Sequence, residues 1–148
     1  MRASDVLREL RPLREGMFSF DDAGRPVALC GSRCENCGGV AFPARTVCDR
    51  CGPRGRLSSH RLSTHGRVYA STVIHVSSAL GHAPPYAYGY VDLPEDGTRI
   101  FAPFVGADLH AFQPGVKVTL AFDEIPATAL PDTLGYAFVM VSEDCADA

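Results

Sequence analysis

Two Cys-x-x-Cys pairs restrict the possible folds of this chain more than any other feature of its sequence. Cys34 and Cys37 form the first pair, Cys48 and Cys51 form the second, and ten residues separate the pairs. A two-residue spacer lets both sulfurs of a pair turn inward on one tight knuckle, and the glycines that follow can adopt the positive φ that a knuckle requires. Four thiolates in a tetrahedron favour Zn²⁺ and leave no position for water. The sequence therefore predicts a structural zinc site with these four cysteines as ligands.

Disulfides and iron are the other uses that such a cysteine pattern allows. We expect no disulfides, because residues 1–15 are charged throughout and lack the apolar core of a secretory signal peptide. Iron stays open as an alternative, since a rubredoxin-like site uses the same paired knuckles. The spacing of Cys30 to Cys34 fits a tight knuckle less well, so we interpret Cys30 as a buried or spare thiol. Cys145, in a polar tail, is predicted to be unrelated to the site.

Length and composition are those of a soluble globular protein. At 148 residues the chain can bury one ordinary core and carry a small metal-bound unit, and 46% of its residues are hydrophobic. No stretch approaches the roughly 20 consecutive apolar residues that span a bilayer, so we expect no membrane segment. The predicted location is the cytoplasm.

Charge divides the chain into two parts. Residues 1–67 contain 12 basic and 7 acidic side chains, net +5, whereas residues 68–148 contain 2 basic and 10 acidic ones, net −8. The hydrophobic pattern changes at the same place, so we predict one unit over residues 1–64, with a helix and the metal knuckles, and a second over residues 65–148. The basic side chains of the first part have two possible roles. They bind phosphates, either of nucleic acid or of a nucleotide-bearing substrate, or they form only a solvated surface. They include Arg45, Arg50, Arg54, Arg56, Arg61 and Arg67.

The hydrophobic period indicates one short helix and then extended strands. Ser4 is a suitable N-cap for a helix at about 4–11, which Pro12 ends. From His65 onward the period becomes two, as in a strand with one buried face. The mostly apolar, inward face of this strand is predicted to carry Val68, Ala70, Thr72, Ile74 and Val76.

Four further strands are predicted at about 86–93, 98–105, 115–123 and 134–142, with Pro, Gly and Asp turn signals between them. The clearest inward set is Val116, Val118, Leu120 and Phe122. Five strands in about 80 residues, without long helices, predict a small closed barrel, because closure removes the exposed edges of a short antiparallel sheet. Five is the strand number of an OB-fold. The predicted fold class is therefore mainly β, with an OB-fold barrel after the metal site.

Tyrosines at every second position form the second candidate site. Tyr86, Tyr88 and Tyr90 would share one face of a strand, with Ala87 and Gly89 on the other. Such a stripe can stack nucleobases, anchor a protein partner or simply cover the barrel. The net negative charge of the second part disfavours nucleic acid, so a partner interface is preferred. None of the five histidines lies in a catalytic motif, and we expect no catalysis by this chain alone.

The order of these motifs resembles a known family. It is carried by Gly31–Gly38, Phe42–Arg45, Cys48–Gly52, Gly66–Ile74, Pro84–Tyr86 and Val91–Leu93. Over residues 18–125 the chain is similar to the acyl-CoA-associated zinc-ribbon plus OB-fold proteins, also called domain of unknown function 35. The resemblance implies a rubredoxin-like zinc ribbon with an N-terminal helix, joined to an OB-fold barrel, and it implies Zn²⁺ on Cys34, Cys37, Cys48 and Cys51.

The resemblance also implies a function. Members of this family look like non-catalytic subunits that bind and stabilise thiolase-superfamily enzymes and help to form their acyl-CoA channel, while the nucleophile and bases belong to the partner. Tyr86, Tyr88 and Tyr90 would contact that partner, and Arg54 and Arg56 would lie near the coenzyme A phosphates. A nucleic-acid-binding module and a rubredoxin-type electron carrier are the alternatives.

Overall fold

Strands provide most of the secondary structure in a computed structural model, which describes residues 3–141. A helix, α1, spans Ala3–Glu9. The first part contains β1 (Arg11–Pro12), β2 (Phe18–Phe20), β3 (Pro26–Cys34), β4 (Val40–Ala41) and β5 (Leu57–Arg61). The second contains β6 (His65–Ile74), β7 (Tyr86–Leu93), β8 (Thr98–Phe104), β9 (Lys117–Glu124) and β10 (Thr133–Met140). The mainly β prediction is confirmed, and no helix within residues 3–141 has the length and apolar character to cross a membrane.

Helix α1 ends two residues earlier than the predicted 4–11. Arg11 and Pro12 form β1, which pairs in parallel with Thr133 and Leu134 of β10. Pro12 has no amide hydrogen to continue a helix, and the pairing with a distant strand satisfies the backbone there instead. The predicted N-cap role of Ser4 concerns a side chain outside the described ones, and Cys145 also lies outside the described residues.

Strands β6 to β10 form a closed barrel. The pairs β6–β7, β7–β8 and β9–β10 are antiparallel. Strand β10 also meets β8 in parallel at Phe138 and Phe104, and β6 meets β9 through residues 65–67, so the sheet closes on itself. Closure of five strands confirms the OB-fold barrel. The barrel core contains Val68, Val91, Leu93, Ile100, Phe104, Phe112, Val118, Leu134 and Phe138.

The predicted inward face of β6 is wrong beyond Val68. The register with β7 shifts directly after this residue, which makes Tyr69 the extra residue of a β-bulge. Because the side-chain period of a strand is two, one extra residue exchanges the two faces. Ser71 and Val73 therefore turn inward: the Ser71 hydroxyl donates to the Phe112 carbonyl at 2.6 Å, and Val73 packs against the core. The predicted inward residues Ala70, Thr72 and Ile74 pair instead with Tyr90, Tyr88 and Tyr86.

No such shift interrupts the pairing of β9 with β10, and there the predicted face is correct. Val118 is fully buried, and Val116, Leu120 and Phe122 pack against the core as partly buried side chains. Regular alternation therefore predicts which side chains of a strand are buried only where no β-bulge interrupts its pairing.

The first part is a small sheet centred on β3. Strand β2 pairs with the first half of β3, and β4 and β5 flank its second half. Ser32 of β3 is 4% exposed, and its hydroxyl accepts a hydrogen bond from the Arg45 amide at 3.0 Å, which fixes the loop after β4. Because Cys34 is the last residue of β3, the first metal knuckle begins where the sheet ends.

One hydrophobic core joins the two parts. Phe18 of β2 packs edge-on against Phe122 of β9, with ring centroids 5.8 Å apart, and Phe42 packs in the same way on Tyr136 of β10 at 5.6 Å. Met17, Phe18, Leu29 and Leu62 belong to the same buried cluster as the barrel residues. The predicted boundary between residues 64 and 65 lies in the short connection from β5 to β6 and stays a prediction.

A polar contact reinforces this junction. Asp96, in the turn between β7 and β8, accepts hydrogen bonds from Nε2 of His60 and from the amide of Ser63, both at 2.8 Å. The Asp96 side chain is only 7% exposed, so its carboxylate is largely shielded from water and needs these donors. The end of β5 and the connection to β6 are thereby held against the barrel.

Candidate metal centre and aromatic face

The structure brings the four predicted ligands together. The Sγ atoms of Cys34, Cys37, Cys48 and Cys51 all lie within 4.8 Å of one another, and those of Cys37 and Cys48 are 3.6 Å apart. Four ligands at the Zn–S distance of about 2.3 Å place neighbouring sulfurs about 3.8 Å apart in a tetrahedron. Within residues 3–141 these four form the one His, Cys, Asp or Glu group that could hold a metal ion. The five described cysteines are free thiols in this structure.

Both knuckles have the local geometry that their glycines predict. Gly38 and Gly52 adopt φ of 75° and 60°. Their amides donate to the carbonyls of Cys34 and Cys48, at 2.8 Å and 2.9 Å, and close each turn. A residue with a Cβ atom would be strained at this positive φ, which explains why glycine follows each cysteine pair.

Hydrogen bonds from the protein reach the sulfurs of Cys48 and Cys51 and favour the thiolate form of Cys48. The Cys51 amide donates to Sγ of Cys48 at 3.4 Å, and Nδ2 of Asn36 donates to Sγ of Cys51 at 3.1 Å. The amides of Cys51 and Arg50 lower the pKa of Cys48 to about 7. The Gly39 amide lowers the pKa of Cys37, but the adjacent Cys48 sulfur and burial raise it, and the net pKa is about 11. Four thiolates this close together need a bound cation to offset their repulsion.

Gly55 is a structural residue of the metal centre that no sequence motif indicates. A Cβ atom at this position would lie 2.8 Å from Cβ of Cys48 and 3.0 Å from Sγ of Cys34. The requirement for glycine is therefore one of space, since its φ is not positive. Nothing in the sequence marks Gly55, because the contact depends on how the second knuckle folds back over the first.

Cys30 stands apart from the four-cysteine cluster. It is half-buried, and its Sγ lies 3.0 Å from Oγ of Ser59 on the neighbouring strand β5. Its interpretation as a buried or spare thiol stays a prediction.

Tyr86, Tyr88 and Tyr90 alternate with the buried residues Ala87 and Gly89, as the period of two predicts. The tyrosines are half-buried or exposed on the outside of the barrel. Strand register places Tyr90 beside Phe101 of β8 and Tyr88 beside Pro103. We call this surface the aromatic face and define it by Tyr86, Tyr88, Tyr90, Phe101 and Pro103.

The rings of the aromatic face form a continuous row. Ring centroids are 6.2 Å apart for Tyr86 and Tyr88, 5.2 Å for Tyr88 and Phe101, and 5.9 Å for Tyr90 and Phe101. Phe101 was not among the candidate residues, because one aromatic in the alternating run 98–105 gives no signal of its own. Only strand pairing shows that it lies between two tyrosines.

Four arginines lie next to the cysteine pairs in the sequence, at positions 45, 50, 54 and 56. Arg54 and Arg56 are exposed, and Nε of Arg56 lies 4.0 Å from the exposed Glu35 carboxylate. A cleft of about 330 Å³ opens between the knuckles and the β7–β8 turn, and its arginines are Arg45, Arg50 and Arg99. Arg54 and Arg56 lie outside its lining.

Comparison with known proteins identifies the family of this chain. Residues 59–123 match the family model described as ChsH2, C-terminal OB-fold domain. A "DUF35 domain-containing scaffold protein" of Methanothermobacter thermautotrophicus is 30% identical over 111 residues, which cover 74% of this chain and 83% of that protein. The chain belongs to the DUF35 family. The family resemblance drawn from the motifs is confirmed.

Two other relatives of this DUF35 protein belong to enzymes. The "benzoylsuccinyl-CoA thiolase subunit BbsA" of Thauera aromatica is 38% identical over 84 residues, which cover 57% of this chain and 56% of that subunit. The solved structure of an "Ltp2-ChsH2(DUF35) aldolase" superposes with a TM-score of 0.62 at 26% identity. The matched region covers 76% of this chain and 84% of the chain in that structure.

Proposed function

We propose that this protein is a non-catalytic, zinc-binding subunit that binds and stabilises a thiolase-superfamily enzyme and helps to form its acyl-CoA channel. The observation that carries the proposal is family membership: the relatives are a scaffold protein, a thiolase subunit and a component of an aldolase. In this complex the catalytic groups belong to the partner. The proposed location of the complex is the cytoplasm, where cysteine ligands would stay reduced.

Zinc is the metal proposed for the four-cysteine centre. Four sulfurs occupy every tetrahedral position, so the ion has a structural role and no open site for substrate. Iron would bind the same ligands, and its thiolate absorption would colour the protein. We expect one zinc ion for each chain and no visible absorption.

Two sets of residues are proposed as contacts. Tyr86, Tyr88 and Tyr90 present rings at the barrel surface and are assigned to the partner subunit. Arg54 and Arg56 are assigned to the coenzyme A phosphates, since both are exposed beside the knuckles and the Glu35 pairing is too open to hold Arg56.

We expect a thiolase-type gene beside this one, and coexpression with it tests the proposal. We expect a stable complex that acts on acyl-CoA, no activity from this chain alone, and loss of activity or stability when the partner is produced without it. Turnover of a thioester by the isolated chain, or a partner that neither binds nor needs this chain, would reject the proposal.

The same preparation distinguishes the alternative functions. A nucleic-acid-binding module would be retained on single-stranded DNA in a salt-dependent way. A rubredoxin-type carrier would show an iron–thiolate band that bleaches on reduction. We expect neither result.

A further inference from the structure

The aromatic face exposes apolar side chains where a barrel surface ordinarily carries polar ones. Tyr90 and Phe101 are each 47% exposed and lie side by side in adjacent strands, and Val105, directly beyond β8, is 56% exposed. On the other side of the same strands, Val91 and Ile100 are at most 1% exposed. Both sides of the β7–β8 pair are thus apolar, although only one faces the core. A contiguous exposed apolar surface indicates an interface.

The rings of the aromatic face are preorganised by contacts within the barrel itself. They stand on two central strands of a closed barrel, and ring contacts link Phe101 to Tyr88 and Tyr90. The Tyr136 hydroxyl donates to the Phe101 carbonyl at 2.7 Å, which fixes the backbone at the centre of the face. Rigid aromatic side chains lose little conformational entropy on binding, and such rings are enriched among the residues that dominate interface energies.

The charges next to this face cancel one another. Arg99 forms a two-point ion pair with Asp92, and its guanidinium lies 3.2 Å from the centroid of the Tyr69 ring. On the side of the face away from this ion pair, β7 has no charged residue from Tyr86 to Tyr90, and β8 has none from Phe101 to its end. An OB-fold commonly binds nucleic acid on the surface of its second and third strands, which are β7 and β8 here, but a phosphate backbone requires cations. The neutral surface instead complements the uncharged, apolar centre of a protein interface.

We propose that the aromatic face, centred on Phe101, is where the catalytic subunit docks, through an uncharged apolar surface of that subunit bordered by polar groups. The Arg99–Asp92 pair and Tyr69 lie at the rim of this interface. The inference rests on the proposed function and deepens it, because it specifies the surface and adds Phe101, which no sequence motif marks.

The chain offers a matched pair of phenylalanines for the test. Phe101 and Phe20 have the same exposed fraction, 47%, but Phe20 lies on β2 of the first part. Phe101→Ala, Tyr90→Ala and Phe20→Ala would each be coexpressed with the thiolase-type subunit whose gene we expect beside this one, and the affinity of the purified components would be measured by titration. Zinc content and thermal unfolding of each isolated variant would be measured alongside.

We expect Phe101→Ala to weaken the complex about 30-fold, the effect of a central interface residue worth about 2 kcal/mol, and Tyr90→Ala to weaken it at least tenfold. Phe20→Ala should change the affinity less than threefold. All three isolated variants should keep their zinc and their unfolding temperature. In the wild-type complex, Tyr69 and Tyr90 should be protected from tyrosine-modifying reagents.

The outcomes separate this inference from the function on which it rests. A wild-type chain that binds no thiolase-type subunit rejects the proposed function. A wild-type complex that Phe101→Ala and Tyr90→Ala leave intact rejects only the docking surface. A homodimer of the isolated chain, or single-stranded DNA binding, that Phe101→Ala abolishes while the thiolase complex persists would assign the face to that occupant and overturn the inference.

Discussion

The knuckle segment, residues 35–56, and the barrel are ordered by different physical means. Between residues 35 and 56 only Cys48 is buried, and the one strand there, β4, has two residues. The barrel buries large apolar side chains, such as Phe112 and Phe138, from all five strands and their connections. Apart from Val40 and Phe42, which pack against the core as partly buried side chains, this segment has little apolar surface to offset its conformational entropy, so a bound metal must supply the difference. Neighbouring parts of one short chain can therefore respond to entirely different perturbations.

Removing the metal should have the largest effect on the knuckle segment. Structural zinc contributes about 10–16 kcal/mol in small zinc-binding peptides, so its loss should leave residues 35–56 without a stable fold. We expect chelation, or Cys48→Ser, to abolish hydrogen-exchange protection there, while amides of β7 and β8 stay protected. Cys30→Ser is the matched control and should retain one metal ion per chain. Equal loss of protection in the barrel would contradict the division between the two regions.

Phe112→Ala should affect the barrel most. Phe112 is fully buried and stacks on Phe104 with ring centroids 4.8 Å apart. Its truncation should lower the free energy of unfolding by about 3–5 kcal/mol, measured by denaturant titration. The folded fraction should still contain one metal ion per chain. The exposed Phe20→Ala variant serves as the control, and a metal content that falls with Phe112→Ala would show that the two regions are coupled.

Gly55→Ala should weaken metal binding without disturbing the barrel. The added methyl group would contact Cβ of Cys48 and Sγ of Cys34 at distances that the knuckles cannot accept without shifting. We expect a 10- to 100-fold lower zinc affinity in competition with a chromophoric chelator, the usual cost of disturbing the surroundings of metal ligands. Arg54→Ala, an exposed change one residue away, should bind zinc like the wild type. Unchanged affinity in Gly55→Ala would mean that the knuckles can open at no cost.

The smallest predicted effect concerns pH and the barrel alone. Burial raises the pKa of Tyr136 to about 12. The folded chain then holds this proton at pH values where the unfolded chain, with a tyrosine pKa of about 10, releases it. Stability should fall by roughly 1 kcal/mol per pH unit between about pH 10 and pH 12. Tyr136→Phe should lack this slope. A slope of equal size in Tyr136→Phe would assign the alkaline sensitivity to other groups.

The metal ligands and the closed barrel could be predicted because their signals are local. The knuckle spacing, the glycines after each pair and the regular alternation in β9 depend on neighbours in the sequence, and the structure agrees with each. The inward face of β6 was wrong for the opposite reason. The bulge at Tyr69 arises from pairing with β7, and alternation within β6 contains no sign of it.

The sequence by itself determined which residues can gather around a metal and that five alternating segments close into a barrel, since spacing and period fix local backbone geometry. Only the tertiary structure decided which side chains meet across strands. It placed Phe101 between two tyrosines, Gly55 against the cysteine sulfurs and Asp96 against His60 of the other part. Such contacts depend on register and on how two regions pack, and both follow from the lowest free energy of the whole chain rather than from any one segment of it.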